Sequence, residues 1–152
     1  MTTHTYRTHL AWQGSTGLGY HGYPRRHRAV APPSPEIELS ADPHFRGEAD
    51  RLNPEQLLVM AASSCQLLSF LAVAAQDGVD VLDYTDKAEG TMPTSGHHPM
   101  RIEHIELSPV IRVRPGTDPE HVTALAHRAH QDCYVANSLT TSITLVPTVV
   151  TS

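Results

Sequence analysis

Asn53-Pro54-Glu55-Gln56-Leu57-Leu58-Val59-Met60-Ala61-Ala62-Ser63-Ser64-Cys65-Gln66-Leu67-Leu68-Ser69-Phe70-Leu71-Ala72-Val73-Ala74-Ala75-Gln76-Asp77-Gly78 reads as a single long helix with clear punctuation at both ends. Asn53 is a good N-cap, Pro54 suits a first helical position that needs no N–H, and Glu55 meets the positive end of the helix dipole. Gly78 supplies the stop. No residue between Gln56 and Gln76 is charged, so no face of the helix is marked for water, and it is expected to be the buried spine, with Cys65 near its middle. The length would span a bilayer, but three Ser, interior Gln and many Ala lower its apolarity, and no Lys/Arg cluster flanks it. A core helix is the expected role, packed under a sheet or against a copy of itself.

The remainder of the chain supplies strands. Residues 4–12 alternate so that Tyr6, Thr8, Leu10 and Trp12 share a face. Short strands are expected at Leu18–Tyr23, His27–Val30 and Glu36–Ser40, with a polar loop over 41–52 leading into the helix. After Gly78, residues 79–90 and 102–113 have the pattern of a hairpin, its second strand bent around Pro109. Asp118-Pro119-Glu120 repeats the cap, proline and acid order of Asn53-Pro54-Glu55 and starts a second helix that runs to about Asp132. Thr140–Val150 closes a sheet. Strands clustered in meanders around two helices make an α+β plan, expected to be one domain over residues 1–152.

Composition excludes some functions. A hydrophobic content of 39% with a formal charge of −5 argues against a nucleic-acid binder, and Arg25-Arg26-His27-Arg28 is too short a basic run to reverse that. The polar N-terminus Met1-Thr2-Thr3-His4 has no apolar run resembling a signal peptide, so a cytoplasmic location is expected, with no membrane association. In a reducing compartment Cys65 and Cys133 are either two inert thiols or a redox pair rather than a structural staple. Eleven histidines raise a metal alternative, with His127, His130 and Cys133 at i, i+3 and i+6 and His97-His98 approaching from a loop. The last of those helical positions has rotated off the shared face, so no metal site is assigned.

Two motifs favour the redox pair. Asn53-Pro54-Glu55-Gln56-Leu57-Leu58 with Ala61-Ala62-Ser63-Ser64-Cys65 closely resembles the helix signature of the OsmC/Ohr family of thiol-dependent peroxidases. Ala129-His130, Cys133 and Asn137-Ser138 resemble its second-cysteine motif, and Ser40-Ala41-Asp42-Pro43, Phe45-Arg46-Gly47 extend the likeness ahead of the helix. The resemblance implies sheets wrapped around two long central helices in an intertwined homodimer, with active sites at the subunit interface. It matches Cys65 to the peroxidatic cysteine, Cys133 to the resolving cysteine and Glu55 to a glutamate that holds an activating arginine, for which Arg46 is the first candidate and Arg25 the second. The implied chemistry is reduction of organic hydroperoxides in an oxidative stress response, through a Cys65 sulfenic acid and a Cys65–Cys133 disulfide. An external dithiol, such as a lipoylated protein, restores the thiols; no cofactor is needed. Ten residues of helix separate Glu55 from Cys65 by about 15 Å, so a second subunit or a loop arginine is expected to bridge them. The alternative is a fold that binds a small molecule or a metal without peroxidase activity.

Overall fold

The computed structural model describes residues 1–96 and 99–152. Two compact units result, Met1–Leu57 and Leu58–Ser152.

In the first unit, β1 (His9–Ala11), β2 (His27–Val30) and β3 (Ile37–Leu39) form an antiparallel sheet in which Leu10 faces Ala29 and Arg28 faces Glu38. The strand expected over 4–12 is cut to three residues, and Tyr6 and Leu10 are 88% and 70% exposed, so the half-buried face inferred from alternation is absent within this unit. No strand forms over Leu18–Tyr23 either. Ser15 accepts the Gly17 N–H and starts a 3₁₀ turn at Thr16–Leu18, and Gly19, at φ 77°, turns the chain onward. Glycine chemistry defeats alternation there.

The segment before the long helix is locked locally. Ser40 is fully buried, donates its N–H to Leu52 and accepts the Glu48 N–H on its hydroxyl. Asp42 caps the 3₁₀ turn Pro43–Phe45 through the His44 N–H. At Gly47 a Cβ would stand 1.6 Å from the Ala41 carbonyl oxygen, so only glycine lets the two backbones meet.

Helix α1 (Pro54–Gln76) starts as expected. Asn53 Oδ1 accepts the Gln56 N–H at 2.8 Å while Gln56 Oε1 accepts the Asn53 N–H at 3.0 Å, a reciprocal capping box. Gly78 follows at φ 75°.

In the second unit, the expected hairpin divides in two. β4 (Val81–Asp86) pairs antiparallel with β7 (Pro109–Val113), and β5 (Glu89–Thr91) pairs antiparallel with β6 (His104–Leu107). The C-terminal segment splits likewise into β8 (Ser142–Leu145), parallel to β6, and β9 (Thr148–Thr151), parallel to β7. Prolines 109 and 147 stand at the breaks, where a missing N–H interrupts a ladder at least cost. Asp86 repairs the break at Ser108: one carboxylate oxygen accepts the Ser108 N–H at 2.8 Å and the other accepts the Ser63 hydroxyl of α1 at 2.5 Å.

Helix α2 (Pro119–Gln131) is capped by Asp118 through the Glu120 N–H. It packs Val122, Leu125, Ala126 and Ala129 against Phe70, Val73 and Ala74 of α1 and Ile111 and Val113 of β7. A second cluster joins Ala62 of α1 to Ile105 and Leu107 of β6. A short helix, α3 (Tyr134–Asn137), absent from the sequence-based reading, follows α2.

α1 is not buried on all sides. Its buried residues are Ala62, Gln66, Phe70, Val73 and Ala74, whereas Met60, Leu68 and Leu71 are 50%, 64% and 38% exposed. Among the described residues, the core partners of α1 lie on the face turned to α2 and the sheets. α1 is also long and apolar enough to cross a membrane by length and composition, a test that core helices of water-soluble proteins also meet.

Candidate active site

The two cysteines converge. Cys65 projects from mid-α1, half-buried, and Cys133 occupies the N-cap position of α3, without a side-chain cap bond, at 1% exposure. The capped end of α2 brings them together: the N–H of Asp132 closes onto Ala129, that of Cys133 onto the His130 carbonyl, and the chain then re-enters a helix at Tyr134.

Cys65 Sγ is surrounded by donors. Burial opposes its ionisation but is outweighed by the Val135 N–H, the Cys133 thiol, the Tyr134 N–H and the Ser69 hydroxyl, so its pKa falls below the ordinary thiol value. The Val135 nitrogen is 3.5 Å from the sulfur. Cys133 moves the other way: burial, and the hydrogen bond it makes to Cys65, push it up to about 11. The two shifts thus favour Cys65 over Cys133 as the sulfur that ionises first. These hydrogen-bond donors all lie within the second unit.

Behind the sulfurs lies a polar contact that sequence reasoning missed. Gln66 is fully buried, donates from Nε2 to the Ala126 carbonyl at 3.1 Å and presents Oε1 to His130 Nδ1 at 3.2 Å. Burial and the neighbouring His127 lower the His130 pKa, against a bond to the Ile143 backbone that raises it. A glutamine inside an uncharged helix carries no signal of its own; its position next to Cys65 was the available hint.

The remaining predicted residues lie in the first unit. Arg25 lines a cavity of about 180 Å³ together with His27, Ser40, Asp42, Phe45 and Glu55. Its guanidinium stacks 3.6 Å from the Tyr23 ring centroid and 5.0 Å from that of Tyr20, and donates to the carbonyls of both tyrosines. Trp12 braces this cluster, edge-on to Tyr23 and donating its indole N–H to Pro24. Arg46, exposed and in the left-handed region at φ 67°, reaches the Tyr20 ring at 6.0 Å.

Among the described residues, no three His, Cys, Asp or Glu side chains form a group able to hold an ion. His127 is exposed while His130 turns to Gln66, and the expected approach of His97-His98 lies outside the described residues.

Comparison with known proteins agrees with the motifs. The family model for OsmC-like proteins matches residues 47–147, a span that includes Glu55, Cys65 and Cys133 but neither Arg25 nor Arg46. No match was found among curated proteins. Among solved structures, an OsmC-like protein of unknown function from Vibrio cholerae is 25% identical with a TM-score of 0.85, the alignment covering 97% of this chain and 100% of that one. An organic hydroperoxide resistance protein from Elizabethkingia anophelis is 22% identical (TM-score 0.71, 99% of each chain), and another from Legionella pneumophila is 16% identical (TM-score 0.67, 98% of each). With the fold matched end to end and the family model covering two thirds of the sequence, the chain belongs to the OsmC-like family.

Proposed function

We propose that this protein is a cysteine-based peroxidase that reduces organic hydroperoxides. The observation that carries the reading is the convergence of Cys65 with the Cys133 turn, where the Val135 N–H is donated to Cys65 Sγ at 3.5 Å and the more exposed sulfur is the more acidic. The Cys65 thiolate attacks the terminal oxygen of the hydroperoxide; the O–O bond breaks, the alkoxide leaves and takes up a proton to become the alcohol, and Cys65 is left as a sulfenic acid. The Cys133 thiol then attacks that sulfur. An S–S bond forms as the S–O bond breaks, and the hydroxyl departs with the thiol proton as water. An external dithiol returns both thiols by exchange and is itself oxidised to a disulfide.

The proposal includes a homodimer, for which the uncovered stripe of Met60, Leu68 and Leu71 on α1 is the supporting feature, and a cytoplasmic location. It assigns the activating arginine to Arg25 ahead of Arg46, because Arg25 shares a cavity with Glu55 and is held by two rings and two carbonyls. Arg25→Ala is expected to lower kcat/KM by about 100-fold, as loss of a charged stabilising group does, and Arg46→Ala by much less.

The test is to count free thiols before and after one equivalent of cumene hydroperoxide. Loss of both thiols with an intramolecular disulfide supports the peroxidase. Unchanged thiols overturn it in favour of a binding protein on the same scaffold.

A further inference from the structure

We propose that Gln66 and His130 act as a positioning bridge that holds Cys133 in line for disulfide closure. The inference rests on the peroxidase reading above and adds residues that act on its second step.

The starting point is the cost of Gln66. Every other buried residue of α1 is apolar: Ala62, Phe70, Val73 and Ala74. A leucine or methionine would fill the same space without desolvating an amide. The amide is retained with both ends bonded, and the bonds fix its orientation. Because Nε2 donates to the Ala126 carbonyl, Oε1 must face His130, and the Nδ1–H of His130 donates to it. The His130 carbonyl accepts the Cys133 N–H at 3.3 Å.

The outcome is a closed circuit. Cys65 is covalently joined to Gln66, Gln66 bonds His130, the His130 carbonyl bonds the Cys133 backbone, and Val135, two residues past Cys133, returns its N–H to Cys65 Sγ. Apolar contacts between α1 and α2 tolerate sliding, because dispersion has little directionality. Two hydrogen bonds from one buried amide set the register along and around the helix axis. Register matters most when sulfur attacks sulfur, since the new bond must close to about 2.05 Å with a defined dihedral. The first step needs no such register, because the hydroperoxide arrives from outside and carries its own orientational freedom. Gln66 and His130 touch neither sulfur nor substrate; they are positioning residues for the closure.

The experiment separates the two steps in the full chain. After one equivalent of cumene hydroperoxide, sulfenic acid is trapped with dimedone as a function of time and free thiols are counted in parallel. Gln66→Met is expected to form the sulfenic acid within about twofold of the parent rate while closing the disulfide about 10- to 100-fold more slowly, so that the sulfenic acid accumulates. His130→Leu gives the same pattern at a half-buried position and stands in should Gln66→Met not fold. His130→Gln, whose amide can still donate to Gln66, restores most of the closure rate. Closure at the parent rate in either Gln66→Met or His130→Leu overturns the proposal, as does equal slowing of both steps, which would mark a merely structural role. Diamide distinguishes failure of the bridge from failure of the peroxidase reading, because it drives the same cysteine pair to a disulfide without any hydroperoxide. If the parent protein ignores cumene hydroperoxide yet closes with diamide, the variants must still slow that closure.

Discussion

Cys65 and Cys133 are the same chemical group, in contact with each other, and burial penalises both; their pKa values nevertheless move in opposite directions. Cys65 collects two backbone N–H groups, a thiol and a hydroxyl. Cys133 spends its proton on Cys65, and the N–H groups of Ala136 and Val135 do not make up the difference. Acidity in this pair therefore follows the direction in which donors point, and depth alone does not decide it.

The largest effect that could break this comparison comes from removing one sulfur at a time. Cys65→Ser is expected to lower hydroperoxide consumption to the uncatalysed rate, because an unactivated hydroxyl is a poor nucleophile. Cys133→Ser should consume one equivalent per chain and stop at the sulfenic acid. Equal residual activity in the two variants would mean that the roles are not divided as the hydrogen bonds suggest.

A smaller effect sharpens it. Alkylation of Cys65 by iodoacetamide rises with pH as the thiolate forms, and the lowered pKa places that rise below the range of an ordinary thiol. Cys133→Ala removes the thiol donor, so the curve should move to higher pH. A stationary curve would assign the whole shift to backbone N–H groups. Ser69→Ala should move it in the same direction but least, since the Ser69 hydroxyl is the weakest of the named donors.

Much of this arrangement could be read from the sequence. Cap grammar located both long helices, because Asn53 and Asp118 have few other uses immediately before Pro-Glu. The two cysteine motifs identified the family, and the family model then covered them both. What escaped was whatever depended on three-dimensional bookkeeping. The 18–23 segment carries aromatic and apolar residues that suit a strand, but Ser15 and Gly19 commit it to a turn. The hairpin was legible as two strands, yet its division at Ser108 needed the Asp86 carboxylate to take up an unpaired N–H. The uncharged length of α1 suggested burial on every side, whereas one chain supplies partners for one face only. Gln66, α3 and the donors around Cys65 were invisible because each takes its meaning from a neighbour distant in sequence.

The 1% exposure of Cys133 also decides where an incoming electron donor must land. In the proposed disulfide, a bulky dithiol would find one reachable sulfur, that of Cys65, so the mixed disulfide would form on α1 with Cys133 as the leaving thiol. A sulfur with a high proton affinity leaves slowly unless it is protonated as it departs. On the peroxidase reading, return of the thiols would then be governed by how readily a proton reaches the interior, and turnover at saturating peroxide would be paced by that return rather than by the encounter with oxidant.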